Sequence, residues 1–394
     1  MCKKCRCDPC AAIAIMVFLA LFASCPHPVF AEAADYPVVA GPCRLGFPQD
    51  HASHPDYRVE WWYYTGNLQS DEGGPFGFQL TFFRIRTLPK KAEAQWPPES
   101  SAWRTGQVFA VHAAVSDISS GKFYFGEKMS RAVLGLAGAA AGPHDGHPGA
   151  VSGEGGRFEV FVGENRAQIA PGAHTLSAKS AEFSFDLELL PQRPPVLHGD
   201  SGYSRKGEAP EEASCYYSIT RLKVTGKLTA GGRERTVSGT AWMDHEFSSA
   251  PLDPRLAGWD WFSLRLSDGS DLMIYLMRER DGGISPASSG TYVDAEDNAV
   301  HLGSGDFRVK TLDAWKSPRT GTIYPSARGL EVFPAGLRID ITPNMLDQEV
   351  QSPGSARVTY WEGSVSAKGT AAGERPVSAE GYVELTGYAG ALDF

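Results

Sequence analysis

Two tryptophan-paired hairpins about 198 residues apart constrain this chain more than any other feature. The first reads Trp61-Trp62-Tyr63-Tyr64, then a turn with Asp71 and Gly73, then an aromatic run ending at Arg84. The second reads Trp259-Asp260-Trp261-Phe262, a turn at Asp268-Gly269, then Leu272 to Arg278. A unit that recurs at long period marks duplication of one structural module. Two copies are therefore expected, over residues 36–230 and 231–394.

Each copy reads as β-structure. In the first hairpin Val59, Trp61 and Tyr63 alternate with Glu60, Trp62 and Tyr64, and Phe76, Phe78, Leu80 and Phe82 share one face of the next run. Period-2 alternation separates the two faces of a strand. Further short strands are predicted at 108–116, 122–125, 158–162 and 183–190. The 43 glycines and 27 prolines supply the turns, and long helix-period patterns are scarce. Many short strands at close spacing fit barrels or sandwiches. The Pro- and Gly-rich stretches 88–106, 142–156 and 191–213 read as surface loops or rim excursions.

Net charge is −9 and spread along the chain with no basic stripe. Nucleic acid is therefore not an expected partner. Lys3, Lys4 and Arg6 precede an apolar run from Ala11 to Ala23, too short to span a bilayer comfortably but suited to a signal peptide over residues 1–31. Cleavage after Ala31 competes with Leu21-Phe22-Ala23-Ser24-Cys25, which resembles a lipoprotein box and would anchor lipid on Cys25. Either way the expected location is exported, periplasmic or secreted. Five of the seven cysteines lie at or before Cys25. The Cys2/Cys5 and Cys7/Cys10 pairs lack downstream ligands at zinc-finger spacing, so no metal is expected there. The remaining pair, Cys43 and Cys215, can form one disulfide or stay as two buried thiols.

No Gly-x-Ser-x-Gly elbow occurs, and His245-Glu246 is not followed by a second zinc-spaced histidine, which argues against a serine or zinc hydrolase. Neither a phosphate loop nor a nucleotide fingerprint is present, so no cofactor is expected. The strongest chemical candidate is Asp244-His245-Glu246, bracketed by Trp242 and Phe247. Burial beside aromatic rings raises a carboxyl pKa and makes a usable acid. Trp259, Trp261 and Tyr275 lie on neighbouring predicted strands, where their faces would stabilise a cation. Glu60 and Glu384 stand among aromatics and are expected to pair with an arginine such as Arg84 or Arg278. Glu60 could instead contact ligand. His112 is expected to be hydrogen-bonded structure or a site residue, and the loop tract His144–His147 offers weak metal ligands.

Several runs together resemble one family. They are Val59-Glu60-Trp61-Trp62-Tyr63-Tyr64-Thr65-Gly66-Asn67-Leu68, Phe76 to Arg84, Tyr216-Tyr217-Ser218, Trp242-Met243-Asp244-His245-Glu246-Phe247, Gly258 to Ser263, Tyr360-Trp361-Glu362-Gly363 and Gly381 to Tyr388. In order and over nearly the whole chain beyond the leader, they resemble the AttH/carotenoid 1,2-hydratase family, often labelled secreted hydrolases. The resemblance implies an all-β fold of two tandem lipocalin-like antiparallel barrels, the first the larger, with a site between them. It also implies an apolar, isoprenoid- or lipid-like small molecule, bound or processed by acid-catalysed hydration or isomerisation. A non-catalytic carrier and a hydrolase are the alternatives. The hydratase aspartate carries over onto Asp244, with His245 and Glu246 beside it. Trp62, Tyr64, Glu60, His112 and Tyr217 are the expected ligand contacts in the first half, and Trp242, Trp259, Trp261 and Tyr275 in the second group. The hydratases place a His-x-Trp pair upstream of the aspartate, and here Cys215-Tyr216-Tyr217 stands instead. Oligomeric state is left open.

Overall fold

The computed structural model describes residues 35–97, 101–141, 157–250, 253–355 and 358–390. The expected signal segment with its cysteines and the His144–His147 tract lie outside these residues. Among the described residues no helix is long and apolar enough to cross a membrane.

The chain from Tyr36 onward is one compact unit built on two antiparallel sheets. The first contains β1 (Val59–Ser70), β2 (Pro75–Arg86), β3 (Gln107–Asp117), β4 (Lys122–Arg131), β5 (Ala137–Ala141), β6 (Phe158–Val162), β7 (Asn165–Ala170), β8 (Ala173–Lys179), β9 (Phe183–Pro191), the short β10 (Val196–Leu197) and β11 (Tyr203–Arg205), β12 (Ala213–Ala230) and β13 (Arg233–Ser248). The second contains β14 (Leu256–Leu266), β15 (Asp271–Glu279), β16 (Ser289–Val293), β17 (Ala299–Gly303), β18 (Phe307–Lys316), β19 (Ile323–Val332), β20 (Leu337–Pro343), β21 (Glu349–Ser352), β22 (Val358–Ala371) and β23 (Arg375–Leu385).

The strand orders are β4-β3-β2-β1-β13-β12-β9-β8-β7-β6-β5 and β17-β16-β15-β14-β23-β22-β20-β19-β18. Both sheets follow one rule: four strands run outward from the first hairpin, and the last strand of the module returns to pair with its first. The 198-residue repeat is therefore a repeat of topology. Each sheet curls toward closure, and in the first β3 and β4 come near β5 and β6 without a ladder joining them. This is the expected pair of near-barrel, lipocalin-like sheets. The boundary near 230 is displaced. β13 pairs with β1 and β12, so the sheets divide between Ser248 and Leu256. The return of the last strand beside the first is a long-range pairing that periodicity does not reveal.

Alternation sorts the side chains into three layers. Trp62, Tyr64, Phe76, Phe78, Leu80, Phe82, Ala241 and Met243 fill the interior of the first sheet. Phe262, Leu264, Ile274, Trp361, Val383 and Leu385 fill the second. The outward residues of both sheets meet in a middle layer of Tyr63, Tyr216, Trp242, Trp261, Met273, Tyr275 and Tyr382. Polar bonds cross this layer: Asn67 Nδ2 donates to Ser364 Oγ at 2.8 Å, and Ser116 Oγ donates to Gln348 Oε1 at 2.7 Å. Side chains of the second sheet press against Gly77, where a Cβ would lie 2.5 Å from the Tyr382 hydroxyl and 2.9 Å from Ser364 Cβ.

The stretch before β1 is tied down by the Cys43–Cys215 disulfide, which resolves the two thiol alternatives. It carries His51 and His54 onto the first sheet. The 191–213 stretch is not merely a surface loop, because β10 and β11 pair with β12 and bring in buried His198.

Candidate functional site

Strand alternation splits the Asp244-His245-Glu246 motif. Asp244 and Glu246 point into the middle layer with Trp242, whereas His245 points into the first sheet with Trp62 and Tyr217. The three expected catalytic residues thus belong to two sites on opposite faces of β13.

In the middle layer two rows of residues face one another. On the first sheet, register places Thr81, Tyr63, Asp244 and Ser218 side by side. On the second, it places Tyr275, Trp261, Glu384 and Glu362 side by side. The Asp244 carboxylate receives three donors: Tyr216 Oη at 2.6 Å, Trp242 Nε1 at 2.6 Å and the Ser218 hydroxyl. Trp261 Nε1 donates to Tyr216 Oη at 3.1 Å and Tyr63 packs edge-on against Trp261, so both sheets contribute side chains to the packing around Asp244. Burial drives the Asp244 pKa up and the three donors only partly offset it, leaving it at about 7. No arginine pairs with it among the described residues.

Two groups absent from the sequence reading join Asp244. His198 Nε2 lies 2.6 Å from Ser218 Oγ, and its Nδ1 lies 2.8 Å from Thr291 Oγ1. Burial, reinforced by the Lys206 charge, keeps this imidazole neutral well below its ordinary range. It forms a chain Asp244–Ser218–His198 where the Cys215-Tyr216-Tyr217 stretch offers no imidazole. Lys206 Nζ sits 4.0 Å over the Tyr275 ring and 3.1 Å from Glu246 Oε1. Burial opposes its charge, but Glu246 outweighs burial and raises its pKa. Both residues lie in the Pro-rich stretch where no periodicity distinguishes them.

Glu384 does not meet an arginine. Arg278 pairs instead with Asp260 at 2.9 Å, whose other oxygen takes Arg328. The cross-strand neighbours of Glu384 are Trp261 and Glu362. Among the described residues no cation pairs with it; burial raises its pKa to about 8, the hydrogen bond from the Trp259 indole offsets this only in part, and Asp244 and Glu246 add to the rise. Burial and the Glu384 charge push Glu362 well above the usual carboxyl range. Trp259 is half-buried at the edge of this layer, and Tyr275 Oη bonds Ser204 Oγ at 3.0 Å. His112 also lies here, 2.8 Å from both Tyr360 Oη and Ser355 Oγ, and burial lowers its pKa to about 4.

The second site lies inside the first sheet. Glu60 pairs with Arg84 Nε at 2.8 Å, as expected, across a direct cross-strand position. It also accepts from Ser53 Oγ at 2.7 Å and from the His54 backbone N–H at 2.8 Å, while His54 Nδ1 lies at 3.0 Å and His245 Nε2 at 2.9 Å. Burial alone would raise the Glu60 pKa, but the Arg84 cation and the two histidines hold it well below the usual carboxylate range. Burial opposes the His54 cation, yet its bonds to Asp50 and Glu60 prevail and hold it at about 9. Tyr217 Oη bridges His245 Nδ1 at 3.0 Å and His51 Nδ1 at 2.7 Å, and Tyr64 Oη meets His174 Nδ1 at 3.0 Å. His51, His54 and His174 escaped the sequence reading because none belongs to an aromatic strand motif.

Two cavities border these layers. One of about 170 Å³ is lined by Asn67, Phe76, Thr240 and Ser364. The other, about 510 Å³, lies between the 38–45 stretch and the first sheet, with Asp50, His54, Tyr57 and Phe247 on its wall. Neither is lined by Asp244.

No curated protein matches this sequence. A crystal structure assigned to AttH in Nitrosomonas europaea superposes with a TM-score of 0.75 at 34% identity, covering 89% of this chain and 99% of the other. Kievitone hydratase from Nectria haematococca superposes with a TM-score of 0.65 at 13% identity, covering 90% and 96%, a likeness of fold. The sequence pattern described as AttH-like matches residues 38–388. The chain belongs to the AttH-like family.

Proposed function

We propose that this protein binds an apolar, alkene-bearing small molecule between its two sheets and hydrates or isomerises it, with Asp244 as the acid. The observation that carries this reading is a carboxyl group sealed between two sheets, set against indole and phenol rings and linked through Ser218 to His198. Asp244 transfers its proton to one alkene carbon and leaves a cation on the other. The π faces of Trp261 and Tyr63 and the surrounding carboxyl groups stabilise that charge. Water adds to the cation, and the proton it sheds returns to Asp244, directly or along the Ser218–His198 chain. In isomerisation the cation loses a neighbouring C–H proton instead. The same fold supports a hydratase in Nectria haematococca. Export is part of the proposal, supported by the signal-like leader and by a disulfide suited to an oxidising compartment.

The test is native mass spectrometry of wild type and Asp244→Asn, followed by solvent extraction of copurifying ligand. The extract is then incubated with each protein in ¹⁸O-water and in deuterium oxide. Wild type is expected to add labelled water or deuterium to an alkene, and Asp244→Asn to retain the ligand while losing at least 99% of turnover. Equal occupancy by the same unlabelled ligand in both proteins would assign the carrier role and make Asp244 structural.

A further inference from the structure

On the opposite face of β13 from Asp244, the geometry points to a divalent transition-metal site formed by His54, Glu60 and His245. It is independent of the acid-catalysis reading, because none of its donors faces the middle layer.

His54 Nδ1 and His245 Nε2 both converge on Glu60 Oε1, at 3.0 and 2.9 Å, and the three donor atoms lie within 4.8 Å of one another. They come from three separate elements: the disulfide-tied stretch before β1, β1 itself and β13. Two imidazoles and one carboxylate are the donor set that zinc, iron(II) or cobalt(II) accepts while leaving coordination positions open.

The surrounding bonds orient each donor. A ligating histidine generally uses its other ring nitrogen to bond a carboxylate, carbonyl or water, which fixes the tautomer and the ring plane. Here His54 Nε2 is held by Asp50 Oδ1 at 3.0 Å, and His245 Nδ1 by Tyr217 Oη at 3.0 Å. The His54 ring stacks on Phe247 at 3.6 Å, and the His245 ring stacks on Trp62 at 4.8 Å. Arg84 and Ser53 hold Glu60 Oε2, while Oε1 is turned toward both rings and also accepts the His54 backbone N–H at 2.8 Å. Bonds of about 2.1 Å at tetrahedral angles would separate neighbouring donors by about 3.4 Å. The two spacings to Glu60 need to widen by about half an ångström as metal replaces the bridging protons, while the two ring nitrogens, at most 4.8 Å apart, settle toward the same separation. The 510 Å³ cavity reaches the His54 side of the cluster, with Asp50, His54 and Phe247 on its wall, whereas Glu60 and His245 are fully buried behind it.

The purified full chain, stripped with chelator, is titrated with cobalt(II) and then zinc(II). One cobalt per chain with visible ligand-field absorption, displaced by one equivalent of zinc, is the expected result. X-ray absorption on the wild-type cobalt complex should show two imidazole ligands. His54→Gln and His245→Gln should weaken cobalt binding at least tenfold, while His174→Gln, which alters a neighbouring buried histidine outside the donor set, should not. The wild-type spectra stand even where a variant fails to fold. Folded wild type that binds no cobalt at millimolar concentration, or binds it without imidazole ligation, would overturn the assignment, as would unchanged affinity in His54→Gln. Loss of the metal with Asp244-dependent turnover intact would leave the acid-catalysis reading standing; loss of turnover with metal bound would do the reverse.

Discussion

Replacing Glu384 by glutamine should remove much of the alkaline instability of this fold. Glu384 faces Trp261 on β14, Glu362 on β22 and, across the layer, Asp244 and Glu246 on β13, with Lys206 paired to Glu246 and Tyr63 and Tyr360 near the carboxyl pair. In the folded chain its pKa is raised from 4.5 to about 8. The folded state therefore keeps a proton that the unfolded chain loses near pH 4.5. Stability linked to this group is fully present below that pH and is lost as pH rises toward 8. At about 1.36 kcal/mol per pH unit, the loss between pH 5 and pH 8 amounts to roughly 3.5 kcal/mol. Sharing of charge with Glu362 reduces the part removed by one substitution, so about 2–3 kcal/mol is the working figure. Glutamine keeps the shape and an acceptor oxygen but cannot ionise. Urea melts of wild type and Glu384→Gln followed by tryptophan fluorescence, at unit pH intervals from 5 to 8, measure the difference. The two proteins should be similar at pH 5, with the variant gaining steadily as pH rises. A constant difference across the range would show that Glu384 is ionised in the fold throughout. The description of an arginine-free, proton-holding carboxyl pair would then be wrong.

The disulfide closes a loop with a sequence separation of 172, for which chain-entropy arithmetic gives about 5 kcal/mol of stabilisation. Cys43→Ser with Cys215→Ser should lower the urea midpoint accordingly, and a change near zero would mean the 36–58 stretch is held by packing alone. Gly77→Ala should cost about 1–3 kcal/mol, since its Cβ would press on Tyr382 and Ser364 of the second sheet. An unchanged midpoint on denaturation would show that the two sheets can separate there freely.

Much of the architecture was legible because strand faces alternate visibly. Phe76, Phe78, Leu80 and Phe82 read as one buried face, and they are one. The paired-tryptophan hairpins read as equivalent positions in two modules, and β1 and β14 occupy equivalent places in their sheets. The module boundary was less legible, since only long-range pairing shows β13 returning to β1. Glu60 against Arg84 was readable as the burial cost of a lone carboxylate on an aromatic strand. The same rule failed for Glu384, because a buried carboxyl can also be neutralised by keeping its proton. His54, His198 and Lys206 were hidden because irregular segments carry no period that aims a side chain.

The contiguous Asp-His-Glu triplet illustrates how sequence proximity misleads in β-structure. Residues on a strand point alternately to opposite faces, so on β13 the middle one of the three faces away from the other two. Asp244 and Glu246 answer to Tyr216, Ser218 and Lys206 in the middle layer, whereas His245 answers to Glu60 and Tyr217 inside the first sheet. Loss of activity in a His245 variant would therefore carry no information about a proton relay to Asp244. It would report on the Glu60 network, and reaches Asp244 only through the shared backbone of β13. Substitutions at Ser218 and His198, seemingly remote in sequence, are the ones that interrogate the acid.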